Sequence, residues 1–335
     1  MGNLCLKNNS KDLHDKSNID LNSQKNDILC KYIKECEIYS GKFGKIYKYK
    51  NINTGNNVSI KFSQNDIYFQ KEVYALSKLN HSNIISMIEY SHSNLSDDLN
   101  FIIEEYASNG DLYDILQKSV ISERLSKFII KCIINALIYA YRIHNISHRD
   151  IKLENILIMN DGNIKLADWG LSAFDIKERK CKRICGTKLY MAPEILLKKK
   201  YDSTKSDVWS LGVVLFILCS KSKPYDEYDE IEDMIYDDMY QQILNKEWDI
   251  WWNEHKRLNH LVNLFSVDLC YLIERIFNYD VHKRYSLEDI QKDYWLKEID
   301  CDRNDILKLI NKTKKKFKCN LSPIREMNYS DYADY

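Results

Sequence analysis

The segment HRDIKLENIL (residues 148–157) sets Asp150, Lys152 and Asn155 on one short stretch. A carboxylate, an ammonium and an amide at that spacing suit phosphoryl transfer. The carboxylate orients an attacking hydroxyl, the cation steadies the moving group, and the amide oxygen holds a metal ion. A second carboxylate, Asp168, follows a hairpin later in ADWG (167–170). Lys61 ends the β-type run VSIK (58–61), and Glu72 lies on the next helical segment, fit to hold that lysine. YSGKFGKIY places Gly41 and Gly44 between two β runs, where backbone N–H groups can approach phosphates closely. Taken alone, a pair of glycines is as often a plain hairpin, and a Lys–Glu pair is more often a surface ion pair. HRDIKxEN, DWG and APE (192–194) in this order are far more specific.

These residues need a scaffold. Residues 1–30 are rich in Asn, Ser, Lys and Asp and read as a flexible extension. From 31 to 106 the runs KYIKECEIYS, KIYKYKNI, NVSIKF and NFIIEEY predict strands, with TGNN (54–57) as a turn. DIYFQKEVYALSKL interrupts them as a helix, with Ile67, Val73, Leu76 and Leu79 near helical period. After 110 the chain reads mainly helical: SERLSKFIIKCIINALIYAYRIH with a Ser cap, then VWSLGVVLFILC (208–219), MIYDDMYQQILNK and SVDLCYLIERIF. ILIMNDGNIKLAD is a β-like patch with a DGN turn. The tail beyond 301, with KTKKKFK and SDYADY, reads as solvated and disordered. The expected fold class is α+β: a small β-rich lobe (31–107) with one helix, a larger helical lobe (108–300), and a tail (301–335).

Composition narrows the function classes. The 49 Lys and Arg balance 49 Asp and Glu, so no general electrostatic case for nucleic acid exists. The longest apolar run is too short to cross a bilayer and reads as a buried helix. The ten cysteines form no CxxC pair, and free thiols in a reducing cytosol are the better reading. Residues 226–238 are markedly acidic.

The motifs resemble the eukaryotic protein kinase family over about residues 33–300. They include KLNHSNII (78–85), EEYASNGDL (104–112), SDVWSLGVVLF (206–216) and Arg284. Lys152 after HRD and Thr187 in GTxxY resemble its serine/threonine branch, with a texture similar to the calcium/calmodulin- and AMP-activated groups. The resemblance implies the bilobal kinase fold and the use of ATP and Mg²⁺. It gives Asp150 the substrate hydroxyl and Lys152 the γ-phosphate, with Thr187 bridging them, and Mg²⁺ to Asn155 and Asp168. It gives Lys61 the α- and β-phosphates, with Glu72 tying the lysine, and sets Gly41, Phe43 and Gly44 over the phosphates. Ile46, Ser59 and Leu157 would sandwich adenine, while the backbone of Glu105 and Ala107 would bond its edge. It also implies a Glu194–Arg284 pair, an Asp207 brace on the HRD backbone, and a column of Leu76, His148 and Trp169.

Several residues depart from the family pattern. Tyr39 stands at the first glycine of the loop, Trp169 replaces Phe, and Glu104 takes the gatekeeper position, where a carboxylate must find a partner or raise its pKa. Lys61 and Glu72 are only eleven residues apart. Arg183 falls in the slot of the activating phosphothreonine, and no Ser, Thr or Tyr lies between 173 and 186. An arginine facing Arg149 repels it, so the ordinary phospho-switch is absent from this reading, and Glu178 or Asp175 would supply a fixed anion instead. Glu154 and Asp111 match acidic positions of basophilic relatives, with Ile217 at a third, which implies a modest preference for basic residues ahead of the acceptor.

MGNLCLKN offers Gly2 for myristoylation and Cys5 for palmitoylation, although Leu6 stands where Ser or Thr is usual. The expected protein is a cytoplasmic enzyme, anchored to a membrane if both chains are attached. The competing reading is a pseudokinase scaffold that docks partners.

Overall fold

Turn chemistry and β-type runs build a five-stranded antiparallel sheet: β1 (Tyr32–Gly41), β2 (Gly44–Asn51), β3 (Asn57–Ser63), β4 (Met87–Ser91) and β5 (Asn100–Glu105), in the order β1-β2-β3-β5-β4. The computed structural model describes residues 28–41, 44–63, 66–92, 100–174, 176, 181–226, 233, 236–259 and 265–316. The β2–β3 turn is closed by the Asn51 Oδ1, which accepts the amides of Asn53 and Thr54 at 2.9 Å each. Gly44 (φ 143°) has the Phe62 carbonyl of β3 only 1.8 Å from where a Cβ would lie, so no side chain fits there.

Strand register sorts the residues by face, because directly opposed residues share one. Ile46 lies opposite Lys61, Lys48 opposite Ser59, and Ser59 opposite Glu104. The other face carries Val58 and Ile60, which pack with Tyr32, Phe101 and Ile103 as the core of this unit. Strand β4 escaped the sequence reading. Its apolar Ile88 and Tyr90 point outward, 53% and 47% exposed, so it lacks the usual apolar-in alternation.

The helices are α1 (Asp66–Lys78), α2 (Leu112–Lys118), α3 (Glu123–His144), α4 (Pro193–Leu196), α5 (Ser203–Ser220), α6 (Asp238–Asn245), α7 (Trp248–Asn259), α8 (Val267–Ile276), α9 (Leu287–Lys292) and α10 (Arg303–Lys316). A hairpin of β6 (Ile156–Ile158) and β7 (Ile164–Leu166) lies among them. In α3, Ser122 Oγ caps Leu125 N at 3.3 Å and Asn145 ends the helix at φ 55°. Helix α5 is buried along almost its whole length, which explains its uninterrupted apolar sequence. Gly212 lets α8 approach it: an added Cβ would lie 2.4 Å from Ile276 Cγ2. Among the described residues no helix is long and apolar enough to cross a membrane.

Compactness divides the chain into Met1–Phe69 with Met87–Tyr106, and Gln70–Ser86 with Ala107–Tyr335. Most of α1 and the stretch after it therefore group with the helical unit rather than with the sheet. Backbone bonds show why: Ile85 N donates to Leu166 O at 3.0 Å and Leu166 N to Asn83 O at 2.9 Å. Ile67, expected on the buried stripe of α1, is 60% exposed, and Phe69 and Ala75 are buried instead.

The segment after 301, expected to be a solvated and disordered tail, is helical from Arg303 to Lys316. In α10 Ile306, Ile310 and Thr313 are buried. Arg303 bonds Asp161 at 3.0 Å, and Arg124 reaches Asp305 at 3.4 Å. Gly162, at φ 78° in the DGN turn, faces the Arg303 carbonyl, which would be 2.4 Å from a Cβ.

Arg284 is buried and donates from Nη1 and Nη2 to the two carboxylate oxygens of Glu194 at 2.7 and 2.9 Å, with further bonds to the carbonyls of Asn278 and Lys205 at 3.0 Å. Removing one charge strands the other in a dry site, which typically costs about 3–5 kcal/mol. Glu194→Gln should therefore lower unfolding stability by about that amount in chemical denaturation. A loss under about 1 kcal/mol, the value of an exposed pair, would contradict this account.

Candidate active site

The loop from His148 to Asn155 is fixed first by its backbone. Asp207, on buried α5, accepts His148 N at 2.8 Å and Arg149 N at 2.7 Å. Burial pushes the Asp207 carboxyl up to about 7, while those two N–H bonds pull it back. Arg149 adopts φ 68° and Asp168 φ 61°, conformations costly for residues with a Cβ. The histidine holds the two strained positions together. Its Nδ1 accepts Asp150 N at 3.2 Å and its Nε2 meets Ala167 O at 3.0 Å, which makes Nε2 the protonated nitrogen. Complete burial lowers the His148 pKa and keeps the ring neutral for this double role. Trp169, fully buried, packs edge-on against His148 with ring centroids 4.6 Å apart. Leu76 is buried in the same unit.

Around Asp150 the polar groups converge. Thr187 Oγ1 and N donate to Oδ1 at 3.0 and 3.1 Å; Lys152 Nζ lies 2.9 Å from Oδ2 and 3.0 Å from Thr187 Oγ1. Asn155 Nδ2 donates to the Asp150 carbonyl at 2.8 Å and to Oδ2 at 3.2 Å. Gly186, at φ 111°, makes the approach of this segment to the loop feasible: a Cβ would lie 2.8 Å from the Arg149 carbonyl. Ala167 N donates to Asn155 O at 2.9 Å, which sets Asp168 beside Asn155 along the chain path.

A Mg²⁺ ion takes oxygen ligands. With its Nδ2 committed to Asp150, Asn155 has Oδ1 left to offer, and Asp168 adds a carboxylate, so the donor set fits that metal. Among the described residues no group of three or more His, Cys, Asp or Glu is arranged to hold a metal.

The remaining predicted residues fall on both units. Gly41, Gly44, Ile46, Ser59, Lys61 and Glu105 belong to the sheet unit, where Ile46, Ser59 and Lys61 share a face with the buried Glu104. Tyr39 lies over Gly41, its hydroxyl 2.0 Å from the position of an added Cβ. Phe43 lies outside the described residues, as do Gly2, Cys5, Asp175 and Glu178. Glu72 is buried in the helical unit. Ala107 and Leu157 also belong there, and the chain after Ala107 is stitched to β6 by Asn109 N to Ile158 O at 3.2 Å and an Asp111–Leu157 bridge. Asp111 caps α2 through Asp114 N at 2.8 Å.

Two residues that the sequence reading missed hold Arg149. Its Nε donates to the Leu171 carbonyl at 2.8 Å and its Nη1 to the Tyr201 hydroxyl at 3.4 Å. No local pattern announces Tyr201, which reaches Arg149 from 52 residues along the chain.

Residues 32–296 match the sequence family described as "Protein kinase domain". Similar curated proteins include CBL-interacting serine/threonine-protein kinase 13 of Arabidopsis thaliana, 27% identical over 77% of this chain and 49% of its own length. NUAK family SNF1-like kinase 2 of Homo sapiens is 32% identical over 76% of this chain and 38% of its own. CBL-interacting protein kinase 11 of Oryza sativa subsp. japonica is 30% identical over 78% and 50%. The chain thus spans half or less of the length of these relatives.

Proposed function

This chain belongs to the protein kinase domain family, and from that premise we propose that it transfers the γ-phosphate of ATP to a serine or threonine hydroxyl of a protein. The observation that carries this reading is the closed set of Asp150, Lys152 and Thr187 at 2.9–3.1 Å. In it Asp150 orients the substrate hydroxyl and takes its proton. Lys152 places a buried positive charge where negative charge builds up on the moving phosphoryl group, and Thr187 fixes both side chains. Lys61 binds the α- and β-phosphates with Glu72 as its partner, under the backbone of Gly41 and Gly44. Ile46, Ser59, Leu157 and the backbone of Glu105 and Ala107 receive adenine. Asn155 and Asp168 would hold Mg²⁺, which when bound neutralises phosphate charge.

Asp168→Asn tests the reading. Turnover should fall by about 10³-fold or more, roughly 4 kcal/mol of transition-state stabilisation, with the fold retained by circular dichroism. Near-normal turnover would reject it. The alternative, a pseudokinase scaffold, draws support from Tyr39 lying over Gly41. A reduced wild-type chain that binds Mg·ATP without any phosphotransfer would favour that alternative.

Activity is proposed to need no phosphate on the 168–194 segment. The support is the absence of Ser, Thr or Tyr between 173 and 186 and the uncharged oxygens that hold Arg149. Phosphatase-treated enzyme, verified by mass spectrometry, should keep most of its turnover. A large drop that is restored by a phosphate mapped to this segment would overturn the proposal.

Two finer parts complete the reading: a modest preference for basic residues ahead of the acceptor, resting on Glu154 and Asp111, and membrane association through Gly2 and Cys5. A peptide array dominated by acidic or proline-directed sites would sink the first. Identical cell fractionation of wild type and Gly2→Ala would sink the second.

A further inference from the structure

The segment that carries Thr187 brings two basic runs side by side. Cys181 and Tyr201 form an antiparallel bridge, with Cys181 N donating to Tyr201 O at 2.8 Å and Tyr201 N to Cys181 O at 2.9 Å. The bridge sets Lys182 and Arg183, which follow the cysteine, beside Lys198, Lys199 and Lys200, which precede the tyrosine. The Tyr201 hydroxyl adds a third tie by donating to the Arg183 carbonyl at 2.9 Å. All five basic residues are exposed.

The carboxylates of the same stretch are engaged elsewhere. Between residues 181 and 206 they are Glu194 and Asp202. Glu194 is held by Arg284, and Asp202 caps α5 by accepting Thr204 N at 2.9 Å and Thr204 Oγ1 at 2.7 Å. Lys198 stands after α4 at φ 54°, a left-handed position where glycine is the usual residue. It is fixed there because Lys198 N donates to Ile195 O at 2.9 Å and Lys199 N to Glu194 O at 3.1 Å. Like charges gathered on a chain of zero formal net charge create a local field that attracts anions.

The patch adjoins the Asp150 cluster. The Tyr201 hydroxyl accepts from Arg149 Nη1 at 3.4 Å, and Arg149 precedes Asp150 in the loop. Thr187, further along the run that holds Lys182 and Arg183, donates to Asp150 Oδ1 at 3.0 Å. The loop thus passes from the basic patch at Arg149, through Asp150, to Glu154, the carboxylate assigned to basic residues ahead of the acceptor. A peptide laid across Asp150 has carboxylates on one side and ammonium groups on the other. We propose that Lys182, Arg183, Lys198, Lys199 and Lys200 form a docking surface for acidic residues that follow the acceptor in a protein substrate. The proposal rests on the kinase reading above, and takes its direction from Glu154 and Asp111.

An acidic peptide fits this surface better than an anionic membrane does. Among the described residues, none of the exposed large apolar side chains lies between 176 and 205, so the patch has nothing to insert into a bilayer. Exposed ammonium groups keep their water while they attract a flexible acidic run, and such an attraction is screened by salt.

The test gives the full chain two peptides with the same serine and the same basic residues ahead of it. One continues with a run of Asp and Glu, the other with Asn and Gln. kcat/KM should be about ten-fold higher for the acidic peptide, through KM, as several exposed ion pairs together would give, and the gap should close at high salt. The triple variant Lys198→Gln, Lys199→Gln, Lys200→Gln should bring the two peptides level. The double variant Lys199→Glu, Lys200→Glu should instead favour a peptide that continues with lysines, a reversal that damage to the fold would not produce. A fluorescein-labelled acidic peptide with alanine in place of the serine reports binding by anisotropy without any phosphotransfer; it should bind the wild-type chain and be released by salt. Equal kcat/KM for the two peptides, a gain only when the acidic run stands ahead of the serine, or binding to phosphatidylserine vesicles with none to the labelled peptide would overturn the proposal. Labelled peptide bound by the wild type and not by the triple variant, on a chain that never transfers phosphate, would uphold the acidic docking surface and count against the kinase reading instead.

Discussion

The Asp207 carboxylate receives two consecutive backbone N–H groups, and the geometry of the 148–155 loop depends on that grip. Arg149 sits in left-handed backbone space at a cost on the order of 1–3 kcal/mol, and a conformation of that kind persists only when its surroundings impose it. Asp207 imposes it from α5, which is buried along almost its whole length. The precision of the polar cluster at Asp150 is thus borrowed from apolar packing that touches no reactant. His148 extends the same constraint to the DWG turn through Ala167, so two strained peptides share one buried support.

Much of this was legible in the sequence. Asp150 and Thr187, 37 residues apart, come together with Lys152, the grouping that the family resemblance implied. Ser122 caps its helix, and the DGN turn closes β6 onto β7. What was hidden has a physical reason. Strand β4 turns its apolar side chains outward, so its alternation is inverted. In α10 a run of lysines conceals the few apolar residues, Ile306 and Ile310 among them, that bury. Tyr201 depends on a tertiary crossing that no spacing rule records.

Among the described residues, the hydrogen-bond acceptors of the Arg149 guanidinium are neutral oxygens. The Leu171 carbonyl accepts from Nε and the Tyr201 hydroxyl from Nη1, and Lys71 and Arg183 stand in the same neighbourhood. Neutral acceptors orient a guanidinium well, since a hydrogen bond requires geometry rather than net charge.

Helix α10 begins after the last residue of the family match, yet Ile306 and Ile310 are as buried as the core, and Gly162 is shaped to receive the Arg303 carbonyl. Homology and burial therefore place the end of the folding unit at different points. A chain cut after Leu296 would keep every motif of the family and still bare an apolar strip along α2 and the hairpin, an adhesive surface where the longer chain has a finished wall.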